Sequence, residues 1–234
     1  MNPHMVDSFV KNDRQGVNRK CNQAVGTILV LAVPMAVGMC LLSHPLYYVF
    51  YGASRIGPTL MRLLPFLRIF ESVSMVASMC LQSIGLAKVV CFTSVGGLLI
   101  NAACDVPFIY LCHFLGLPAY WGAGFSSMLG YTVSIAAVFI LLKKKYGLKY
   151  FSLVKTVAKV ILGLIPMIAV VLLCLHFIPM SGGRLVQFQL MALIALLGAV
   201  CYGFVTYKTG AVTDVFGENF LNKILVKLHL KKAR

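Results

Sequence analysis

The stretch Pro58–Leu115, PTLMRLLPFLRIFESVSMVASMCLQSIGLAKVVCFTSVGGLLINAACDVPFIYLCHFL, decides how the chain folds. It reads as two long apolar helices joined at Ser83-Ile84-Gly85-Leu86-Ala87-Lys88. Most other apolar segments are free of charge in their interiors, but this pair carries Arg62, Arg68 and Glu71 on the first helix and Asp105 on the second. Arg68, Glu71, Ser74, Ser78 and Gln82 recur at steps of three or four, as do Ser94, Gly97, Asn101 and Asp105. Such steps place each set on one helical face. An ionisable group at the centre of a bilayer costs roughly 2.5–3.5 kcal/mol on insertion scales, so it faces a bundle interior or a watery cavity rather than lipid. The expectation is a polar cavity lined by this helix pair.

Working outward, the chain of 234 residues is 60% hydrophobic and 12% charged, with a mean hydropathy of +0.89. Runs of about 20 apolar residues mark membrane-spanning helices. The pattern predicts an all-α polytopic membrane protein with six spans, near residues 25–43, 59–82, 89–115, 122–142, 157–178 and 185–207. The third covers 27 residues, or roughly 40 Å at 1.5 Å per residue. That exceeds a hydrocarbon core of about 30 Å and requires tilt or protrusion. The expected organisation is a basic leader over 1–24, a six-span bundle over 25–208 and an amphipathic basic tail over 209–234. In that tail Phe216, Phe220, Ile224 and Leu228 alternate with Lys223, Lys227 and Lys231, a pattern suited to lying on an anionic leaflet.

The net charge of +15 would suggest a nucleic-acid partner in a soluble domain. Here the bases sit between apolar runs, where they set topology and meet membrane lipids, so no nucleic acid is expected. One side collects 17 Lys and Arg, while the other has only Arg55 and Arg184. This asymmetry predicts cytoplasmic termini. Residues 44–57 read as a loop, with Tyr47, Tyr48 and Tyr51 at an interface. The fourth span opens with Gly122, Ala123, Gly124, Ser126 and Ser127, small residues that let helix backbones approach closely.

No catalytic constellation emerges. G-x-S-x-G, H-E-x-x-H and a P-loop are absent, so neither a hydrolase nor a nucleotide-driven motor is indicated. The eight cysteines form no C-x-x-C pair and the five histidines are scattered. Neither a disulfide framework, a metal site nor a cofactor is expected. The candidate pathway residues are Arg62, Arg68, Glu71, Ser78, Gln82, Asn101 and Asp105. The spacing also lets Arg68 and Glu71 simply neutralise one another, and Asp105 has Arg62, Arg68 or Lys88 as possible partners.

Several short stretches carry a family resemblance: Pro3-His4-Met5-Val6-Asp7-Ser8-Phe9 with Lys11-Asn12-Asp13, Pro34 through Gly38, and Pro45 to Tyr51-Gly52. Leu81-Gln82-Ser83-Ile84-Gly85-Leu86-Ala87-Lys88 follows, then Asn101 to Asp105, Gly116, Gly122-Ala123 and Ser126. In this order they resemble the second half of the multidrug/oligosaccharidyl-lipid/polysaccharide flippase superfamily. The nearest likeness is to its bacterial polysaccharide-biosynthesis and lipid II flippase branch, which includes the sporulation stage V protein B-like group. The resemblance implies a two-lobe transporter of about fourteen spans, of which this chain would supply spans nine to fourteen. The amino-terminal lobe would be missing, or supplied by a second chain. It further implies a bacterial inner-membrane protein without enzymatic chemistry, whose partners are membrane lipids and a lipid-linked sugar. Alternating access would carry the sugar headgroup through the polar cavity while its polyprenyl tail stays in lipid. Two other readings remain: half of a cation-coupled multidrug antiporter, with Asp105 or Glu71 carrying the ion, and a non-transporting membrane scaffold.

The predicted topology has a direct test on a cysteine-free background. An impermeant thiol reagent added to intact cells should label Ser54→Cys and Gly182→Cys but not Lys144→Cys.

Overall fold

The computed structural model describes residues 14–147, 151–178 and 183–216. The expected Pro3–Phe9 resemblance, the tip of the Pro179–Gly182 turn and the tail beyond Phe216 lie outside these residues. Among the described residues eight helices follow in order: α1 Arg14–Leu41, α2 Ser43–Tyr51, α3 Gly57–Ser83, α4 Ala87–Phe114, α5 Tyr120–Tyr146, α6 Phe151–Phe177, α7 Arg184–Lys208 and α8 Ala211–Phe216. There is no strand among the described residues. Six of the helices (all but the short α2 and α8) are long and apolar enough to cross a membrane. The protein is therefore an all-α, six-span membrane protein, and helices suit that setting because each span satisfies its own backbone hydrogen bonds.

The helices outrun the expected spans. α1 begins at Arg14, so the second half of the expected leader is helical and runs straight into the first span. The basic connector is likewise shorter than expected, since α6 starts at Phe151. Residues 44–57 are not all loop: α2 takes Ser43–Tyr51, with Pro45 in its first turn. That placement is permitted because first-turn N–H groups have no intrahelical acceptor to lose. Pro34, Pro65, Pro107 and Pro166 sit within four of the spans, where neighbouring helices make such breaks tolerable.

α1 is the hub. One flank of it meets α3, with Val17 and Cys21 packing on Ala77, Cys80, Leu81 and Ile84, a cluster that extends to Val138 and Leu142 of α5. The other flank meets α6 and α7: Val33 and Val37 lie on Leu164, Met167 and Tyr202. The Tyr202 hydroxyl donates to the Val30 carbonyl at 2.9 Å, tying α7 to α1. At the bundle end holding residues 14 and 208, α8 docks through Ala211 and Val215, both buried, and Asp214 pairs with Lys159 of α6.

α4 packs along α5 backbone to backbone and barely meets α3. A Cβ on Gly97 would fall 2.8 Å from the Gly130 carbonyl oxygen, and one on Gly130 would fall 2.7 Å from that of Gly97. A Cβ on Gly122 would sit 2.5 Å from the Ile109 Cα. The small residues expected to admit close approach do so, and the partner they admit is α4. Much of α4 is otherwise uncovered, with Phe92, Val95, Leu98, Leu99, Val106 and Tyr110 all exposed. Such an apolar surface belongs against lipid or another part of a membrane assembly.

Gly130→Leu should therefore force α4 and α5 apart and cost roughly 1–3 kcal/mol, as overpacking does. Gly203→Leu, where nothing lies within 4 Å of a new Cβ, should cost little. Thermal unfolding in detergent, followed by size-exclusion chromatography, measures both.

Candidate functional site: polar groups between the spans

The two polar stripes do not face one another as a closed pair. On α3 the stripe turns around the helix between two cavities. At one edge Arg68 lines a cavity of about 380 Å³ between α1 and α3, with Met35, Met39, Met61 and Pro65 on its walls. At the other edge Ser74 lines a cavity of about 140 Å³ shared with Ser94 and Asn101 of α4 and Ser127, Tyr131 and Ser134 of α5. Glu71 and Ser78 lie between the two on the helical wheel and are half-buried, and Gln82 is exposed. The smaller cavity has α5 as a third wall, and none of Arg62, Arg68, Glu71 or Asp105 lines it. Ser127, Tyr131 and Ser134 recur at steps of four and three, so the same periodicity that singled out α3 and α4 marks α5 as well.

Arg68 and Glu71 form an ion pair through Nη1 and Oε2. Their side chains remain 71% and 38% exposed, so the pair is not sealed in the core. The α1–α3 cavity is polar at Arg68 and Ser72 and apolar elsewhere, and its methionines supply an adaptable wall. Arg62 lies apart from this pair, and its Nε donates to Ser43 Oγ at 3.3 Å where α2 crosses α3.

Asp105 has no arginine or lysine partner among the described residues. Its Oδ1 accepts from the Ser126 hydroxyl. The Ser126 oxygen also lies 3.0 Å from Asn101 Oδ1 and 3.0 Å from the Ala123 carbonyl oxygen. A hydroxyl has one proton, so these acceptors compete for it, and an ionised carboxylate is the strongest of them. Asn101 Nδ2 donates to Ser127 Oγ at 3.3 Å. Ser126 is fully buried, which makes it the anchor that fixes both α4 side chains. The Gly97–Gly130 and Gly122–Ile109 approaches hold α4 near enough for these short side chains to meet across the seam.

The candidate residues therefore divide into three groups: Arg62 at the α2–α3 crossing, Arg68, Glu71, Ser78 and Gln82 along the stripe of α3, and Asn101 with Asp105 on the α4–α5 seam. No group of three or more His, Cys, Asp or Glu among the described residues is arranged to hold a metal ion.

A helical protein whose described residues hold six such membrane-length spans is, by fold, a polytopic membrane protein. Comparison with known proteins narrows this. The chain is 31% identical over 224 residues to the lipid II flippase MurJ of Bacillus subtilis (strain 168), a match that takes in 92% of this chain and 40% of that protein. The chain thus spans well under half the length of the curated relative it matches. Identity along nearly the whole chain supports a relationship to the flippase superfamily. No family model matches the chain, and no solved structure does.

Removing the shared hydroxyl tests the seam. Ser126→Ala should destabilise the protein by roughly 1–3 kcal/mol, because it leaves a half-buried acceptor unpaired. Asp105→Asn should cost less, since its amide oxygen still accepts. In the double variant the two losses should fall short of their sum, as read by thermal unfolding of all three variants.

Proposed function

We propose that the chain is a member of the flippase superfamily. In this reading it forms part of a transporter that moves a lipid-linked oligosaccharide or peptidoglycan precursor across a bacterial cytoplasmic membrane, with both chain termini in the cytoplasm. The observation that carries this reading is the 31% identity, across 92% of the chain, to a protein named as a lipid II flippase. The structure contributes a physical rationale. Arg68 offers a guanidinium beside a methionine-rich wall, a combination that accommodates an anionic headgroup next to an acyl or polyprenyl chain. The Asn101–Ser126–Asp105 cluster and the small polar cavity beside it extend that path through hydrogen-bonding groups. In this reading the work is transport rather than covalent chemistry.

Alternating access follows if the open stripe of α3 faces a complementary lobe, supplied by more of the same polypeptide or by a second chain. The site then opens to either side as the two lobes rock about it. The stripe also argues against a purely structural scaffold, which has no use for Arg68, Glu71 and Asp105 within its spans. The cation-coupled reading rests on Asp105, whose carboxylate, with Asn101 Oδ1 and Ser126 Oγ, presents oxygen atoms of the kind that suit a hard cation.

The test is headgroup translocation of lipid II in vesicles containing the complete transporter. Arg68→Leu with Glu71→Leu should leave the protein stable and inserted, because replacing a charge pair with apolar residues is often neutral or stabilising. The same double change should abolish translocation. Full transport by a stable double variant would remove these residues from the path, and failure of the complete wild-type assembly to translocate lipid II would overturn the flippase reading itself.

A further inference from the structure

At the end of the bundle opposite residues 14 and 208, three connections join the spans, and among their residues only Arg55 and Arg184 are Lys or Arg. They come from different connections, yet the fold brings them to one corner. Arg55 lines an open cavity of about 510 Å³ together with His44, Tyr48, Ser54 and Pro58, and Gly52 forms part of its wall. Arg184, the first residue of α7, reaches the Gly52 part of that wall: a Cβ on Gly52 would lie 3.1 Å from its Nη2.

The corner is built rather than incidental. Gly52 has φ +85°, a left-handed conformation that favours glycine, and its N–H donates to the Tyr48 carbonyl at 2.9 Å. The Gly57 N–H donates to Ser54 Oγ at 3.2 Å. A Cβ on Gly57 would fall 2.0 Å from the Tyr47 ring, so glycine there lets the ring close over the turn. Two helices also begin here, α3 at Gly57 and α7 at Arg184, and their N-terminal ends add positive potential.

None of the chain's six Asp and Glu falls in these three connections. Arg55 and Arg184 have no ion-pair partner among the described residues, and His44 stands with Arg55 on the cavity. Both arginines are exposed, so their guanidinium groups stay open to an approaching anion. Their planar forks match phosphate oxygens in paired hydrogen bonds, and the cavity volume falls within the range of ligand sites.

We propose that this corner is a binding site for a phosphate-class anion, phosphate or pyrophosphate, with Arg55 and Arg184 as its cationic ligands and His44, Tyr48 and Ser54 as polar neighbours. It is separate from the stripe on α3 and does not depend on the transport reading. The same chemistry is offered by a free inorganic anion and by a phospholipid headgroup at that face of the membrane.

The experiment measures binding of inorganic pyrophosphate to the purified protein in phosphatidylcholine nanodiscs by calorimetry, with thermal unfolding alongside. Wild type should bind and be stabilised. Arg55→Gln and Arg184→Gln should each weaken binding at least tenfold without lowering the unfolding temperature of the ligand-free protein. Arg55→Lys should retain part of the affinity, and Lys144→Gln, at the other end of the bundle, should bind as wild type does. Repeating the titration in phosphatidylglycerol nanodiscs separates the sources: competition points to a lipid headgroup, and unchanged affinity points to a free anion. Absence of binding by wild type, equal affinity in the Arg55→Gln/Arg184→Gln double variant, or an equal loss in Lys144→Gln would overturn the proposal.

Discussion

A charge placed within a hydrocarbon layer must be answered by another group nearby, and the arrangement of the intramembrane site follows from how each charge is answered. Arg68 is answered by Glu71 one turn along the same helix. Asp105 is answered across a helix boundary by the Ser126 hydroxyl. The first solution is local and leaves Arg68 on an open cavity and both side chains partly exposed. The second is tertiary and depends on where α5 lies. Two chemically similar demands therefore produce an exposed pair on α3 and a buried anchor on the α4–α5 seam.

The tertiary solution depends in turn on glycine. Ser and Asp side chains are short, so Ser126 reaches Asp105 only because α4 and α5 come within backbone contact at Gly97, Gly130 and Gly122. In lipid there is no hydrophobic effect to drive helices together, and close packing with interhelical hydrogen bonds takes its place. The seam supplies both. Elsewhere the bundle relies on side-chain interdigitation, as where Val17 and Cys21 of α1 meet Ala77 and Leu81 of α3. α1 thus organises the two flanks of the bundle, while the seam places the carboxylate.

Much of this was legible in the sequence, for physical reasons. Long apolar runs fix the number of spans, since a helix of that length and composition has few other places to go. Steps of three and four placed Asn101 and Asp105 on one face, and Arg68 next to Glu71. The third wall of the cavity was less legible because Ser127, Tyr131 and Ser134 carry no charge and sit within an otherwise apolar span. Asp105 offered arginine and lysine partners on paper, and its serine partner emerges only from the α4–α5 packing. Helix ends were short by several residues because polar residues, such as Arg19 and Lys20 in α1 and Ser152 and Lys155 in α6, mask a helix that continues past the hydrocarbon. The short α2 was hidden by Pro45, which reads as a breaker but sits where a helix accepts it. The convergence of Arg55 and Arg184 could not be read from a chain in which they lie far apart.

The central claim is that the polar face of α3 lines a water-accessible path rather than facing lipid. Cysteine accessibility within the span measures this most directly. On a background lacking the eight native cysteines, Ser78→Cys and Arg68→Cys should react with a small hydrophilic thiol reagent in native membranes. Leu99→Cys and Leu172→Cys, on exposed apolar faces, should resist it. Reaction at Ser78→Cys and Arg68→Cys no faster than at the apolar positions would contradict the account.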